Sequence, residues 1–263
     1  MSYKLALLGE KLGHSFSPII HKIILEKSNI DMTYELIECH ENELEGLLNK
    51  VRSGEYKGFN VTIPYKEKVL PYLDEISPEA KKINACNTIC MKDGKLVGFN
   101  TDYFGFYNEV KNFNIDLSNR KCHILGCGGA SKAMAHALID LGAELTMAVR
   151  DSDLPLTSWF KGRVITLKDL VNEEIDVICN ATPVGMYPNI DNMPVDVCVA
   201  EKCNIVFDAI YNPSVTKLMS YAKESYNGLY MLILQAVKAD EIFFDIKVNN
   251  ILEIIDDVKR KVI

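Results

Sequence analysis

Residues 122–151 read CHILGCGGASKAMAHALIDLGAELTMAVRD, and this stretch decides how the rest of the chain is understood. A strand-like run, Cys122 to Leu125, leads straight into Gly126-Cys127-Gly128-Gly129-Ala130-Ser131, and a helical pattern of small and apolar residues follows from Ala130 to Leu141. A second strand, Glu144 to Val149, completes a strand–turn–helix–strand unit. Glycines allow a tight turn and a close approach to the backbone, while the helix N-terminus offers N–H groups and a positive dipole end. A dinucleotide pyrophosphate needs that combination. Ser131 stands where the third fingerprint glycine usually does, and a turn that serves packing alone would look similar. The second strand favours the dinucleotide, because it ends in Val149-Arg150-Asp151 at the distance where a ribose-reading residue sits. Arg150 suits a 2′-phosphate and hence NADP, whereas Asp151 suits a free 2′-hydroxyl and hence NAD.

Working outward, strands are expected at Ile175–Cys179 and Asn204–Asp208, which extends the same α/β unit. Upstream, a polar segment from Asn112 to Arg120 precedes this unit. Before it a separate alternation runs: strand Lys4–Leu8, helix Pro18–Glu26, strand Met32–Ile37, helix Glu41–Val51 and strand Gly58–Ile63, stopped by Pro64. Strands joined by helical crossovers imply a mostly parallel sheet. From Leu232 onward, Ile242, Phe243, Ile246, Ile251 and Ile254 recur at helical spacing. The chain therefore reads as an α/β protein with two domains.

Bulk composition removes several classes of function. The chain has 263 residues, 48% of them hydrophobic, enough to bury a substantial core. With 29 basic against 36 acidic residues it carries a formal charge of -7 and no basic run that would track a phosphate backbone, so no nucleic-acid partner is expected. No apolar stretch approaches the roughly 20 residues of a membrane-spanning helix, and the N-terminus enters a strand at once, so neither a membrane span nor a signal peptide is expected. The eight cysteines form no CxxC pairs and no His lies at metal-ligand spacing, which points to reduced thiols in the cytoplasm and to no metal.

Three polar clusters lie in the first domain. In Gly13-His14-Ser15-Phe16-Ser17-Pro18, Ser17 and Pro18 suit the N-cap and N1 positions of a helix, and two hydroxyls beside a helix N-terminus also suit a carboxylate. Asn60 and Thr62 share one face of a strand that leads to Lys66, where a helix is expected to begin. A solvated lysine is the commonest explanation of Lys66, but a helix N-terminus and partial burial would both lower its pKa toward that of a proton-shuttling amine. Asn84-Ala85-Cys86-Asn87-Thr88 and Asn100-Thr101-Asp102-Tyr103 add amides and a carboxylate. Asp102 alone would serve equally as the cap of a helix starting at Tyr103. Paired with Lys66, it would orient the amine and bind a substrate hydroxyl, while its charge would favour the charged lysine and oppose the helix end, so the sequence leaves the direction of the net shift open.

The segments LGHSFSPIIH (12–21), GFNVTIPYK (58–66), NACNT (84–88), GFNTDYFGF (98–106), LGCGGAS (125–131), NATPVGM (180–186), DAIYNP (208–213) and NGLYMLILQA (227–236) together resemble the shikimate dehydrogenase family in order and spacing across nearly the whole chain. The resemblance implies NADPH-dependent reduction of 3-dehydroshikimate to shikimate, on the route to aromatic amino acids, by two α/β domains flanking a cleft. It implies a discontinuous substrate domain, 1–101 plus 236–263, and a Rossmann-type domain over 102–235. Ser15 and Ser17, helped by Tyr211, would hold the substrate carboxylate. Asn60, Thr62, Asn87, Asp102 and Gln235 would bind ring hydroxyls, and Lys66 with Asp102 would be the catalytic pair. Gly126, Cys127, Gly128, Gly129 and Ala130 would cradle the pyrophosphate, Arg150 would face the 2′-phosphate, and Thr182, Ile210 and Gly228 would lie along the cofactor.

Two departures from the family pattern stand out. Val149-Arg150-Asp151 replaces the usual Asn-Arg-Thr, with no Lys or Arg after it until Lys161, and Cys127 occupies a position where the family often has Ala. The first keeps open an NAD-preferring quinate/shikimate dehydrogenase; the second suggests that thiol modification blocks cofactor binding. A non-catalytic ligand sensor and a folate one-carbon dehydrogenase are further readings. The first is opposed by the presence of Lys66, Asp102 and the glycine loop, the second by the Ser15, Ser17 and Gln235 pattern. Oligomeric state is left open, a homodimer included.

Overall fold

The computed structural model describes residues 2–13 and 15–262; His14 of the first polar cluster lies outside them. In chain order the elements are β1 (Tyr3–Gly9), α1 (Ser17–Lys27), β2 (Met32–Glu38), α2 (Leu44–Arg52), β3 (Gly58–Val61), β4 (Glu75–Ile76), α3 (Pro78–Ile83), β5 (Thr88–Lys92) and β6 (Lys95–Phe99). They continue with α4 (Thr101–Asn112), β7 (Lys121–Leu125), α5 (Gly129–Asp140), β8 (Glu144–Val149), β9 (Arg163–Thr166), β10 (Val177–Asn180), α6 (Val197–Ala200), β11 (Ile205–Asp208), β12 (Glu224–Asn227), α7 (Leu229–Phe244) and α8 (Ile251–Val262). They form two compact units, Met1–Gly105 with Ile233–Ile263, and Phe106–Leu232. This division puts Asp102 and Gln235 in the same unit as Lys66, whereas the boundaries expected from sequence place both in the dinucleotide domain.

The first unit holds a six-stranded sheet in the order β2-β1-β3-β5-β6-β4. The helical crossovers expected from sequence produce the parallel β1–β2 and β1–β3 pairings, but β5 runs antiparallel to both β3 and β6. For the β5–β6 pairing the reason is local. Asp93 and Gly94 join β5 to β6 with φ of 49° and 78°, and a two-residue turn with both central residues left-handed matches the twist of a hairpin. One sheet face packs Ala6, Leu8, Phe59 and Ile89 against Leu44, Leu48 and Val51, which recur at helical spacing along α2. The other packs Leu5 and Cys90 against Ala239 and Phe243 of α7. Gly58 permits this second contact, since a Cβ there would lie 2.4 Å from the Phe243 ring.

The second unit holds six parallel strands in the order β12-β11-β10-β7-β8-β9. That is the doubly wound dinucleotide-binding order, with its switch point between β7 and β10 and the glycine loop at the end of β7. Its edge strands β9 and β12 are additions to the expected set. Each has four residues and pairs on one side only, and Glu224-Ser225-Tyr226-Asn227 has no apolar period to read. Among the described residues no helix is long and apolar enough to cross a membrane.

Candidate active site

Lys66 does not stand at a helix N-terminus. β3 ends at Val61, short of the expected Ile63, and the chain passes Lys66 in a series of turns, with Ile63 71% exposed. The expected influence of a helix dipole on the amine therefore falls away. What faces the ammonium is Asp102, whose Oδ2 accepts from Lys66 Nζ at 2.6 Å, the side chains being 13% and 11% exposed. The Lys66 carbonyl accepts from the Cys86 N–H at 2.8 Å, which ties this turn to the 84–88 segment.

Asp102 sits in the first turn of α4, but it does not cap that helix. Asn100 does: its Oδ1 accepts from the Tyr103 N–H at 3.1 Å and its Nδ2 donates to the Ala85 carbonyl at 2.9 Å. The structural explanation of Asp102 as a cap is thereby taken by its neighbour, and its carboxylate is left to face Lys66.

Behind the pair lies a buried amide network. Asn87 Oδ1 accepts from the Thr101 N–H at 2.8 Å, and its Nδ2 donates to Gln235 Oε1 at 3.3 Å. Asn60 Oδ1 accepts from the Tyr34 hydroxyl at 2.8 Å, while Nδ2 donates to Asn87 O at 3.3 Å and Thr88 Oγ1 at 3.1 Å. Both Asn60 donors are thus engaged inside the protein, which leaves a ligand only an acceptor lone pair. Thr62 follows β3, half-buried, its N–H donating to the Leu8 carbonyl.

The first serines differ from expectation by one position. Helix α1 starts at Ser17 with Phe16 as N-cap, and Ser15 Oγ accepts from the Ser17 N–H at 3.2 Å. Ser17 is 8% exposed and hydrogen-bonds Tyr34, whose hydroxyl burial pushes well above its usual pKa, with the Asp240 charge adding and the Ser17 bond opposing. Tyr34 stacks on His21 at 4.5 Å between ring centroids, and His21 Nδ1 lies 2.7 Å from Asp240 Oδ1, both side chains buried. Tyr34, His21 and Asp240 escape a reading of the sequence. Only the position of His21, one helical turn after Ser17, hints at the group.

In the second unit the glycine loop fits a pyrophosphate. Gly126 has φ +97° and an added Cβ would lie 3.0 Å from Thr182 Cγ2, so glycine is required there on two counts. Gly128 is the N-cap of α5 with no side-chain cap, and an added Cβ would meet nothing within 4 Å, so space opens over the helix start that begins with Gly129 and Ala130. Cys127 between them is partly exposed. Ser131, in place of the third glycine, donates to the Gly126 carbonyl at 2.6 Å and ties the loop shut.

At the ends of β10 and β11, Asn180 Oδ1 accepts from the Thr182 N–H and hydroxyl at 3.1 and 2.7 Å, and Asn180 Nδ2 donates to Asp208 Oδ1 at 3.0 Å. Asp208 also accepts from the Ile210 N–H at 3.0 Å and the Thr216 hydroxyl at 2.7 Å. Burial pushes the Asp208 carboxyl up and these bonds oppose it. Gly228 donates its N–H to the Ile210 carbonyl at 3.0 Å and has no room for a Cβ, which would lie 2.1 Å from the Ala209 oxygen. Thr182, Ile210 and Gly228 are thus fixed by one connected set of contacts. Tyr211 is next in sequence, its hydroxyl pushed up by burial.

Arg150 follows β8 and closes a fork on Asp153, with Nε to Oδ2 at 2.6 Å and Nη2 to Oδ1 at 3.1 Å. Lys168 reaches Asp151 at 3.0 Å. The sequence shows no basic residue close after Arg150, and Lys168 arrives only because β9 carries the chain back beside β8.

A parallel sheet of dinucleotide-binding order with a fitted glycine loop, in one chain with a separate α/β unit carrying a buried lysine–carboxylate pair, defines a nicotinamide-dependent dehydrogenase with a dedicated substrate unit. A family profile described as the shikimate dehydrogenase substrate binding domain matches residues 7–89. A Clostridium perfringens protein named shikimate dehydrogenase (NADP(+)) is 40% identical over 256 residues, covering 94% of each chain. Among solved structures, a chorismate mutase/shikimate 5-dehydrogenase fusion protein from Clostridium acetobutylicum is 38% identical with a TM-score of 0.94, over 100% of this chain and 99% of that one. The Thermus thermophilus shikimate 5-dehydrogenase in complex with NADP(H) and shikimate is 31% identical with a TM-score of 0.87, over 99% and 100%. The chain belongs to the shikimate dehydrogenase family.

Proposed function

We propose that this chain catalyses the reversible NADPH-dependent reduction of 3-dehydroshikimate to shikimate in aromatic amino acid biosynthesis, with Lys66 as proton donor. The observation that carries the residue assignment is the 2.6 Å Lys66–Asp102 contact in a nearly buried setting, with Asp102 released from capping duty by Asn100. Bound NADPH supplies the hydride that reaches the ring ketone. Lys66 gives its proton to the oxygen that becomes the alcohol, and Asp102 fixes the ammonium while accepting from a neighbouring substrate hydroxyl. In the oxidising direction the same lysine takes the proton back.

Ser15 and Ser17, at the start of α1, take the substrate carboxylate, aided by the helix N-terminus. Asn60, Thr62, Asn87 and Gln235 address ring hydroxyls, Asn60 as an acceptor because its donors are engaged. Hydrogen bonds among Asn60, Asn87 and Gln235 hold these three in place before substrate arrives, which lowers the cost of binding. In the second unit, Gly126 to Ala130 would hold the pyrophosphate and Arg150 the 2′-phosphate, and Thr182, Ile210 and Gly228 would lie along the cofactor, with Tyr211 assigned to the substrate carboxylate by family resemblance. Residence in the cytoplasm belongs to the same proposal. It is supported by eight cysteines, none of them in a disulfide.

The test is a comparison of kcat/KM for NADP with that for NAD, using shikimate and quinate in turn. The proposal expects shikimate with NADP to be the preferred pair. Preference for quinate with NAD would replace it, and no absorbance change with any pair would remove enzymatic function.

A further inference from the structure

The assignment of Arg150 to the 2′-phosphate raises a question of charge. The strand end after β8 carries two cations and two carboxylates: Arg150 with Asp153, and Lys168 with Asp151. Its formal charge is zero, whereas an added 2′-phosphate brings a charge near -2.

Asp153 is no passing neighbour of Arg150. Its N–H donates to the Arg150 carbonyl at 2.9 Å, so a turn fixes one residue on the other. Both carboxylate oxygens then engage the side-on edge of the guanidinium, at 2.6 and 3.1 Å, and the Ser152 hydroxyl donates to Oδ1 at 3.3 Å. The Asp153 side chain is 17% exposed and that of Arg150 is 73% exposed, so the carboxylate is packed down while the guanidinium reaches into solvent. An arginine binds carboxylate and phosphate with the same planar donors. Here Asp153 occupies one edge, Nε and Nη2, and a phosphate is left the other, Nη1 and Nη2, of a guanidinium whose charge is already balanced.

We propose that Asp153 is a specificity-determining residue for the cofactor: by neutralising Arg150 from within the chain it weakens the hold on a 2′-phosphate while leaving a free 2′-hydroxyl unaffected. The proposal rests on the reading of Arg150 given above. It makes cofactor preference depend on a residue three positions beyond the strand end, and it assigns a role to a carboxylate that the dinucleotide fingerprint does not include.

The experiment is calorimetric titration of NADP⁺ and NAD⁺ into the whole enzyme at low and high salt, for the wild type, Asp153→Asn, Arg150→Ala and the double variant. Asp153→Asn keeps the size and shape of a side chain that is 17% exposed, and Arg150 is 73% exposed, so both variants are expected to fold. Asp153→Asn is expected to tighten NADP⁺ by roughly three- to fivefold, the size of an exposed charge pair, with NAD⁺ unchanged and the gain shrinking at high salt. In the Arg150→Ala background that gain should vanish. If Arg150→Ala weakens NADP⁺ but Asp153→Asn leaves the ratio alone or weakens NADP⁺ too, the role of Asp153 is overturned while that of Arg150 stands. An equal gain in the Arg150→Ala background also overturns it, since the effect would then bypass the guanidinium. If Arg150→Ala does not weaken NADP⁺, the reading of Arg150 itself fails and the proposal falls with it.

Discussion

Two cation–carboxylate pairs in this chain have the same closest approach and opposite surroundings. Lys66 meets Asp102 at 2.6 Å with side chains 13% and 11% exposed; Arg150 meets Asp153 at 2.6 Å with 73% and 17% exposed. The attraction between unit charges about 4 Å apart grows from about 1 kcal/mol in water to about 4 kcal/mol where the effective dielectric constant is near 20, so distance alone does not rank them. A pair out of water is held in one geometry, and losing either member strands a charge. A pair in water is screened and exchangeable, so a ligand can redistribute it at little cost. In the proposed function the first kind lies where a proton must be delivered to one atom, and the second where an incoming phosphate must find a partner.

The sharpest way to break this contrast is to delete each cation in turn. Lys66→Ala should lower kcat by about 10²-fold or more, the usual worth of a placed proton donor, with a smaller change in KM. Arg150→Ala should instead raise KM for NADP and leave kcat at saturating cofactor within about twofold. Steady-state kinetics with shikimate check both, and near-normal turnover in Lys66→Ala would remove that residue from the chemistry. Deleting the carboxylates gives the next largest effect. Asp102→Ala leaves Lys66 buried without its partner and should cost about 3 kcal/mol of stability, whereas Asp153→Ala should cost under about 1 kcal/mol. Urea unfolding of the two variants side by side decides the matter: equal losses would mean that burial does not separate the pairs.

How much of this contrast is visible before folding differs between its members. The Rossmann-type unit is legible because the glycine loop, α5 and the run Glu144–Val149 carry their own signals, and β8 matches that run. The hairpin of β5 and β6 is legible in principle, since Asp93-Gly94 lies between two strand-like runs, but helical crossovers elsewhere draw attention from it. Polar β12 offers no period to find. The identities of Lys66 and Asp102 are legible through neighbouring motifs, but their surroundings are not. Asn100, Thr101 and Asp102 are all competent helix caps, and a difference of one or two residues decides which does the work. Asp240 meets His21 from 219 residues away, and Lys168 reaches Asp151 from 17, at separations where local pattern carries no information.

A third carboxylate, seven residues after Asp102 on the same helix, carries the contrast into pH dependence. Glu109 is 3% exposed, and burial pushes its pKa well above the usual carboxylate range. Where Asp102 faces an ammonium, Glu109 has no ion pair among the described residues, so the low dielectric favours its protonated form. The sign of the pH effect follows. The folded pKa is raised, so the stability contributed by the protonated carboxyl is fully present below the ordinary glutamate pKa and is lost as pH rises toward the folded value. Glu109→Gln keeps the shape and removes the titration. Its stability relative to wild type should therefore improve with rising pH through that window, by at most about 1.4 kcal/mol per pH unit, and become flat above it. Thermal unfolding of both proteins across mildly acidic to mildly basic pH measures this directly, and parallel curves would mean that burial does not hold Glu109 protonated in the folded state.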